Sequence, residues 1–219
     1  MSRPRLAVSR EDYIKTVWEL GTTGEKVIAA QLCRELQVSS AAVSKALQRL
    51  VRDGLMRQGT DGSIRLSTEG LRQAERLVRR HRLVEKLLYE ALNYPWEEVH
   101  EEAERLEHAI SDRLEAHLLA HFGAKATCPH GYAVNPASGR RPGGRPLASL
   151  DEGEGGRLAR VYEKDPALLK LFARLGFKPG AAVRLDRRLP DDTFEVQVEN
   201  RRCQIGLKAA QGLWLTARP

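Results

Sequence analysis

The chain has 219 residues, with 36 basic against 29 acidic side chains (net charge +7) and 42% hydrophobic residues. This composition describes a globular chain, and no apolar run approaches the ~20 residues of a membrane-spanning helix. The N-terminal MSRPRLAVSRED has no apolar signal-peptide core, and three irregularly spaced cysteines suit a reducing compartment, so the expected location is cytoplasmic, with no membrane partner.

Charge is unevenly spread. Residues 1–80 hold 15 basic and 9 acidic side chains, residues 81–125 hold 5 and 10, and residues 126–219 hold 16 and 10. A basic first third suits a polyanion, and an acidic middle suits cations.

In chain order, SREDYIKTVWEL predicts a helix over 9–20, capped by Ser9, with Glu11 and Asp12 in its first turn. Tyr13, Ile14, Val17, Trp18 and Leu20 make its apolar face. A second helix is expected over 26–36. The turn QVSS leads into a third, SAAVSKALQRLVRDG, which buries Val43, Leu47 and Leu50 and ends at Gly54. This is a helix-turn-helix pattern. The exposed face of its second member offers Ser39, Ser40, Ala41, Ala42, Ser44, Lys45, Gln48 and Arg49. Small residues there let a helix enter the major groove, and the polar ones can read base edges or hold phosphates. The following LMRQGTDGSIRLSTEG predicts a hairpin, hence a wing, from which Arg57, Thr60 and Arg65 could reach the phosphate backbone.

Thr68 is the expected cap of an arginine-rich helix to about residue 91, and Asn93-Tyr94-Pro95 separates it from another over 96–122. The latter carries an apolar stripe (Val99, Ala103, Leu106, Ile110, Leu114, Leu118, Leu119) suited to a homodimer surface and the core. It also brings His100, Glu104, Glu107 and His108 near one face, while His81 and Glu85 share a face of the preceding helix. Imidazoles and carboxylates gathered beside apolar positions call for compensation, usually by a divalent cation. Glu98, Glu101, Glu102, Glu115 and His117 read as a solvated surface.

Beyond residue 124, ATCPHGYAVNP is a loop and SGRRPGGRP a flexible linker. Residues 151–219 alternate like short strands around a helix at Pro166–Leu175 and suit a small SH3-like β-barrel. Val196, Val198, Ile205, Leu207 and Trp214 are its expected core.

These motifs together resemble the diphtheria toxin repressor family of metal-dependent transcriptional regulators over nearly the whole chain. SREDYI, QVSSAAVSKALQRLVRDGL, STEG, RRHRLVEKLL and VHEEAERLEHAIS carry the resemblance. It implies a mainly α chain: a winged-helix DNA-binding domain (1–72), a helical metal-binding and dimerisation domain (73–140), a linker (141–150) and an SH3-like domain related to one accompanying ferrous iron transport (151–219). It implies a primary metal site of Asp12, His81, Glu104, Glu107 and His108. Iron-sensing members place Met and Cys where this chain has Asp12 and Glu104, which resembles the manganese-sensing branch. Oxygen-rich, thiol-free donors suit Mn²⁺ or Fe²⁺. Lys15 stands where some manganese sensors have a Glu, which speaks against their form of paired-metal site. A second site is implied at Glu85, Cys128, His130 and Asp165, while His100 and Glu163 match ancillary positions of iron sensors.

The function so implied is a homodimeric repressor of manganese or iron uptake, bound to a palindromic double-stranded operator when loaded with Mn²⁺ or Fe²⁺. A metal-independent winged-helix regulator with solvated carboxylates is the alternative. No HExxH or similar catalytic spacing is present, so an enzyme is not expected.

Overall fold

A computed structural model describes residues 8–22, 24–136 and 143–217. They form two compact units: one runs up to Arg79 and includes Pro136, and the other comprises Arg80–Asn135 and residues from 143 onward. No helix among the described residues is long and apolar enough to cross a membrane.

The first unit opens with α1 (Arg10–Gly21). Ser9 Oγ accepts from the Asp12 N–H at 3.1 Å and Asp12 Oδ2 accepts from the Ser9 N–H at 2.6 Å, a capping box that fixes the helix start. The second helix is shorter than expected: α2 spans Ala29–Leu36, and Gln37 at φ 51° ends it. Next comes α3 (Ser40–Arg52), capped by Ser39, whose hydroxyl accepts from the Ala42 N–H at 3.2 Å. Gly54, at φ 73°, turns the chain into an antiparallel hairpin, β1 (Met56–Gln58) and β2 (Ile64–Leu66), with Arg57 opposite Arg65. The core is apolar, with Ile14, Leu32, Val43, Leu50, Leu55 and Ile64 all buried.

The helix α4 (Thr68–Leu92) then runs unbroken for 25 residues. Its cap is Ser67 rather than the expected Thr68, because the Ser67 hydroxyl accepts from the Gly70 N–H at 3.0 Å.

The second unit corrects the expectation of one helix over 96–122. There α5 (Val99–Leu106) passes into a 3-10 turn (Glu107–Ala109), Ile110 is extended, and α6 (Asp112–Phe122) starts afresh. The break arises at Ser111, whose hydroxyl accepts from the Leu114 N–H at 3.2 Å and so favours a new helix start. Glu115, expected in solvent, is buried and accepts from Arg80 Nε at 2.8 Å.

The C-terminal part is a six-stranded antiparallel sheet in the order β3-β8-β4-β5-β6-β7. Its strands are β3 (Arg145–Pro146), β4 (Gly155–Val161), β5 (Ala182–Arg188), β6 (Thr193–Val198), β7 (Arg201–Gly206) and β8 (Leu213–Ala217). The expected linker over 141–150 therefore already contains sheet, and Leu147 is fully buried; residues 137–142 lie outside the described ones. Two helices accompany the sheet, α7 (Pro166–Leu175) and the short α8 (Leu207–Gln211). Phe172, Phe177 and Phe194 fill the core with Val196, Val198 and Ile205. Leu207 is instead exposed at the start of α8, and Trp214 is half-buried, with the Arg160 guanidinium 3.7 Å above its ring centre.

Candidate metal centre and nucleic-acid face

The middle of α4 is amphipathic in an unusual sense: Leu83, Val84 and Leu88 are buried, and so are His81 and Glu85, one turn apart. The second unit surrounds this pair with further ligand-type side chains. His81 Nδ1 lies 2.5 Å from Glu107 Oε2 and 3.9 Å from Glu104 Oε1. His81 Nε2 lies 3.0 Å from Glu85 Oε1 and 2.9 Å from His100 Nδ1. His100 Nδ1 is itself 3.0 Å from Glu85 Oε1. The break after α5 sets Glu107 inward at 1% exposure, while the Glu104 side chain remains 47% exposed and that of His108 28%. His108 Nε2 is 3.8 Å from Glu107 Oε1.

The loop after α6 brings the next pair. Cys128 N–H donates to Tyr132 O (2.8 Å) and Gly131 N–H to Cys128 O (2.9 Å), a tight turn that points Cys128 and His130 inward, both buried. The loop is seated on β4: Val161 N–H donates to His130 O at 3.0 Å and the Tyr132 hydroxyl to Val161 O at 3.1 Å. Gly131, at φ 96°, allows that approach, since a Cβ there would stand 2.0 Å from Ala159 O.

His130 Nδ1 faces Glu85 Oε1 at 3.3 Å and Glu163 Oε2 at 3.4 Å. Its Nε2 lies 3.1 Å from Trp96 O, to which it donates when Nδ1 is left as the ligand nitrogen.

Three groups of donor atoms within this unit each fall inside 4.8 Å: His81, Glu85, His100 and Glu163; Glu85, Cys128, His130 and Glu163; and His81, Glu104 and Glu107. Asp165, expected in the second site, lies elsewhere. Its carboxylate caps α7, accepting from the Ala167 and Leu168 N–H groups at 2.9 and 3.2 Å, and pairs with Lys208. The carboxylate beside His130 is Glu163, two residues earlier, at the exit of β4. Residues missed in the sequence are Trp96, whose carbonyl orients His130, and Tyr132. The aromatic residue after CPHG was the available signal for the latter.

These groups fit a divalent cation. Glu85 is fully buried and its Oε2 has no hydrogen-bond partner. Burial alone would raise the Glu85 carboxyl, but the neighbouring His81 and His130 outweigh it and hold the group well below the usual carboxylate range. Burial would lower His130, yet Glu85 and Glu163 raise it to about 10. Burial pushes the Cys128 thiol well above its ordinary value, helped by the same two carboxylates. The positive charge that His81 and His130 supply to Glu85 is of the kind a divalent cation can replace, and the unsatisfied Glu85 Oε2 adds a donor for it.

In the first unit, Asp12 sits in the α1 capping box. All the residues expected to meet DNA are exposed: Ser39 and Ser40, Ala41 and Ala42, Ser44 and Lys45, Gln48 and Arg49 along α3, and Arg57, Thr60 and Arg65 on the hairpin. Lys26 braces the hairpin, donating to Asp61 O at 2.5 Å and pairing with its carboxylate at 3.1 Å.

Comparison with known proteins gives a consistent result. Three family models match: the N-terminal DNA binding domain of iron dependent repressors over residues 5–62, their metal binding and dimerisation domain over 67–134, and the FeoA domain over 145–217. The chain is 37% identical to the diphtheria toxin repressor of Corynebacterium jeikeium over 205 residues, covering 82% of this chain and 85% of that protein. It is 35% identical to the iron-dependent repressor IdeR of Mycobacterium leprae over 129 residues, 59% of this chain and 56% of that relative. Among solved structures, a manganese-dependent transcriptional repressor in complex with manganese superposes with a TM-score of 0.85 at 33% identity, covering 95% of this chain and 100% of the other. ScaR with bound Zn²⁺ superposes at 0.81 and 30% identity, covering 96% and 100%.

Proposed function

This chain belongs to the diphtheria toxin repressor family of metal-dependent transcriptional repressors, and we propose that it is the manganese-responsive kind, with Fe²⁺ as the other metal it takes. The observation that carries the reading is the buried run of imidazoles and carboxylates from Glu107 through His81 and Glu85 to His130 and Glu163, with an unsatisfied Glu85 oxygen inside it. His81, Glu104, Glu107 and His108 would hold the primary cation, and Asp12 is added on the family's pattern alone. This set has no thiol, which favours a hard, oxygen-preferring ion. The bound cation supplies positive charge that offsets the carboxylates. Without that charge, Glu104 and Glu107 repel each other beside His81.

Recognition is proposed to lie on α3. Lys45, Gln48 and Arg49 would read or hold a palindromic operator, with Arg57, Thr60 and Arg65 on the backbone. The exposed Leu106 and Leu114, at 38% and 40%, support a homodimer surface on α5 and α6. The cytoplasm is the proposed location.

Operator binding titrated anaerobically with Mn²⁺, Fe²⁺ or chelator tests the reading. Binding is expected to need metal, and Glu107→Gln to abolish the metal-activated binding. Metal-independent binding unaffected by Glu107→Gln would establish the alternative, a regulator with no metal switch.

We also assign the second set to Glu85, Cys128, His130 and Glu163 rather than Asp165. Glu163→Gln is expected to weaken cation binding at this set about tenfold or more. Asp165→Ala should leave cation binding unchanged and destabilise the fold by about 1 kcal/mol through loss of the α7 cap. Equilibrium dialysis and thermal unfolding separate the two.

A further inference from the structure

His81 belongs to two of the candidate sets at once, and its two ring nitrogens divide between them. Nδ1 faces Glu107 at 2.5 Å and Glu104 at 3.9 Å. Nε2 faces Glu85 Oε1 at 3.0 Å and His100 Nδ1 at 2.9 Å. A neutral imidazole offers one lone pair, and its other nitrogen carries hydrogen. His81 can therefore ligate on one side only, and whichever nitrogen ligates decides what the other does.

When Nδ1 serves the Glu104 and Glu107 set, Nε2 carries the hydrogen and donates to Glu85 Oε1. The same carboxylate belongs to the set of Cys128, His130 and Glu163, with Oε1 3.3 Å from His130 Nδ1, and its buried Oε2, which has no hydrogen-bond partner, keeps donor capacity for a cation there. The competing set of His81, Glu85, His100 and Glu163 needs the Nε2 lone pair and is incomplete while Nδ1 is engaged. His100, 3.0 Å from the same Glu85 oxygen, then acts as a positioning residue.

We propose that His81 couples two cation sites in this chain. Ligation through Nδ1 beside Glu104 and Glu107 fixes the tautomer whose Nε2–H orients Glu85 for a second cation at Cys128, His130 and Glu163. A carboxylate accepting from the far nitrogen also makes an imidazole a stronger ligand, so the coupling is positive in both directions. The inference rests on the proposed reading that both sets take cations.

The experiment uses Co²⁺ as probe on the full chain without operator. A cysteine thiolate bound to Co²⁺ gives a near-ultraviolet charge-transfer band, and its loss in Cys128→Ser assigns it to the second set. Glu107→Gln, and separately the exposed Glu104→Gln, are expected to raise the Co²⁺ concentration at half-maximal band by about tenfold. His81→Gln should do the same, and adding Glu107→Gln to it should change the midpoint by less than about twofold, because residues acting through one link are not additive. Circular dichroism checks that each variant is folded, and Glu104→Gln tests the idea where the buried Glu107 substitution unfolds the chain. Unchanged midpoints, or additive effects in the double variant, overturn the coupling and leave the two-site reading standing. Absence of a Cys128-dependent band in the unaltered chain overturns both.

Discussion

Gly131→Ala is expected to be among the most damaging single-methyl changes available in this chain. The residue holds φ at 96°, and an added Cβ would meet Ala159 O at 2.0 Å and Arg160 Cα at 2.8 Å. Both obstacles are backbone of β4, so no side chain can swing aside. Left-handed backbone costs an L-residue about 1–2 kcal/mol, and overpacking against unyielding neighbours about 1–3 kcal/mol more. The loss should total about 2–5 kcal/mol by urea unfolding of the metal-free chain. Gly153→Ala is the control: φ is 85° there, but nothing lies within 4 Å of the added atom, so only the backbone cost applies. Equal losses in the two variants would show that the loop is not pinned to β4. Because the same turn carries Cys128 and His130, Gly131→Ala should also weaken the second cation set.

Cation affinity at that second set is expected to climb steeply with pH. His130 is held protonated up to about 10 by Glu85 and Glu163, and the Cys128 thiol lies well above its ordinary value through burial. Both must shed a proton to ligate, so each contributes up to about tenfold in affinity per pH unit. Together they give up to about a hundredfold per unit below the lower of the two values. Co²⁺ titrations of the Cys128 band at successive pH values measure this slope, and a flat profile would remove Cys128 and His130 from the ligand set.

The sign reverses for folding of the metal-free chain. His130 has a folded pKa of about 10 against an ordinary 6.5, so its stabilising contribution is fully present below about pH 6.5 and is lost as pH rises through about 10. Glu85 is depressed, so its contribution is present above the ordinary carboxylate range and is lost as pH falls through its folded pKa. Between about pH 6.5 and 10, raising pH thus weakens this part of the empty fold while favouring the loaded one.

Local chemistry alone determined much of this protein. Ser9, Ser39 and Gly54 mark helix ends through hydrogen bonds and backbone freedom confined to a few neighbouring residues. The turn between Arg57 and Arg65 and the helix at Pro166–Leu175 are legible for the same reason. Periodicity likewise exposed Lys45, Gln48 and Arg49 while burying Val43, Leu47 and Leu50. It failed where a local signal competes within a periodic run: Ser111 breaks the helix that the apolar stripe continued, and that break turns Glu107 inward.

The proposed second cation set was the least legible part, because its members come from α4, the CPHG loop and the end of β4, up to 78 positions apart (Glu85 to Glu163). Asp165 and Glu163 are both acids near one strand end; Asp165 before Pro166 carries a helix-cap signal, but nothing local shows which carboxylate reaches His130. The choice was made by the α7 cap, which takes Asp165, and by the seating of His130 on β4, which brings Glu163 within 3.4 Å of its ring. The sequence by itself thus determined most of the helices, the hairpin turn and the kinds of candidate ligand present. Only the tertiary structure decided which ligands meet, because burial and long-range backbone pairing, not local propensity, set the direction in which each side chain points.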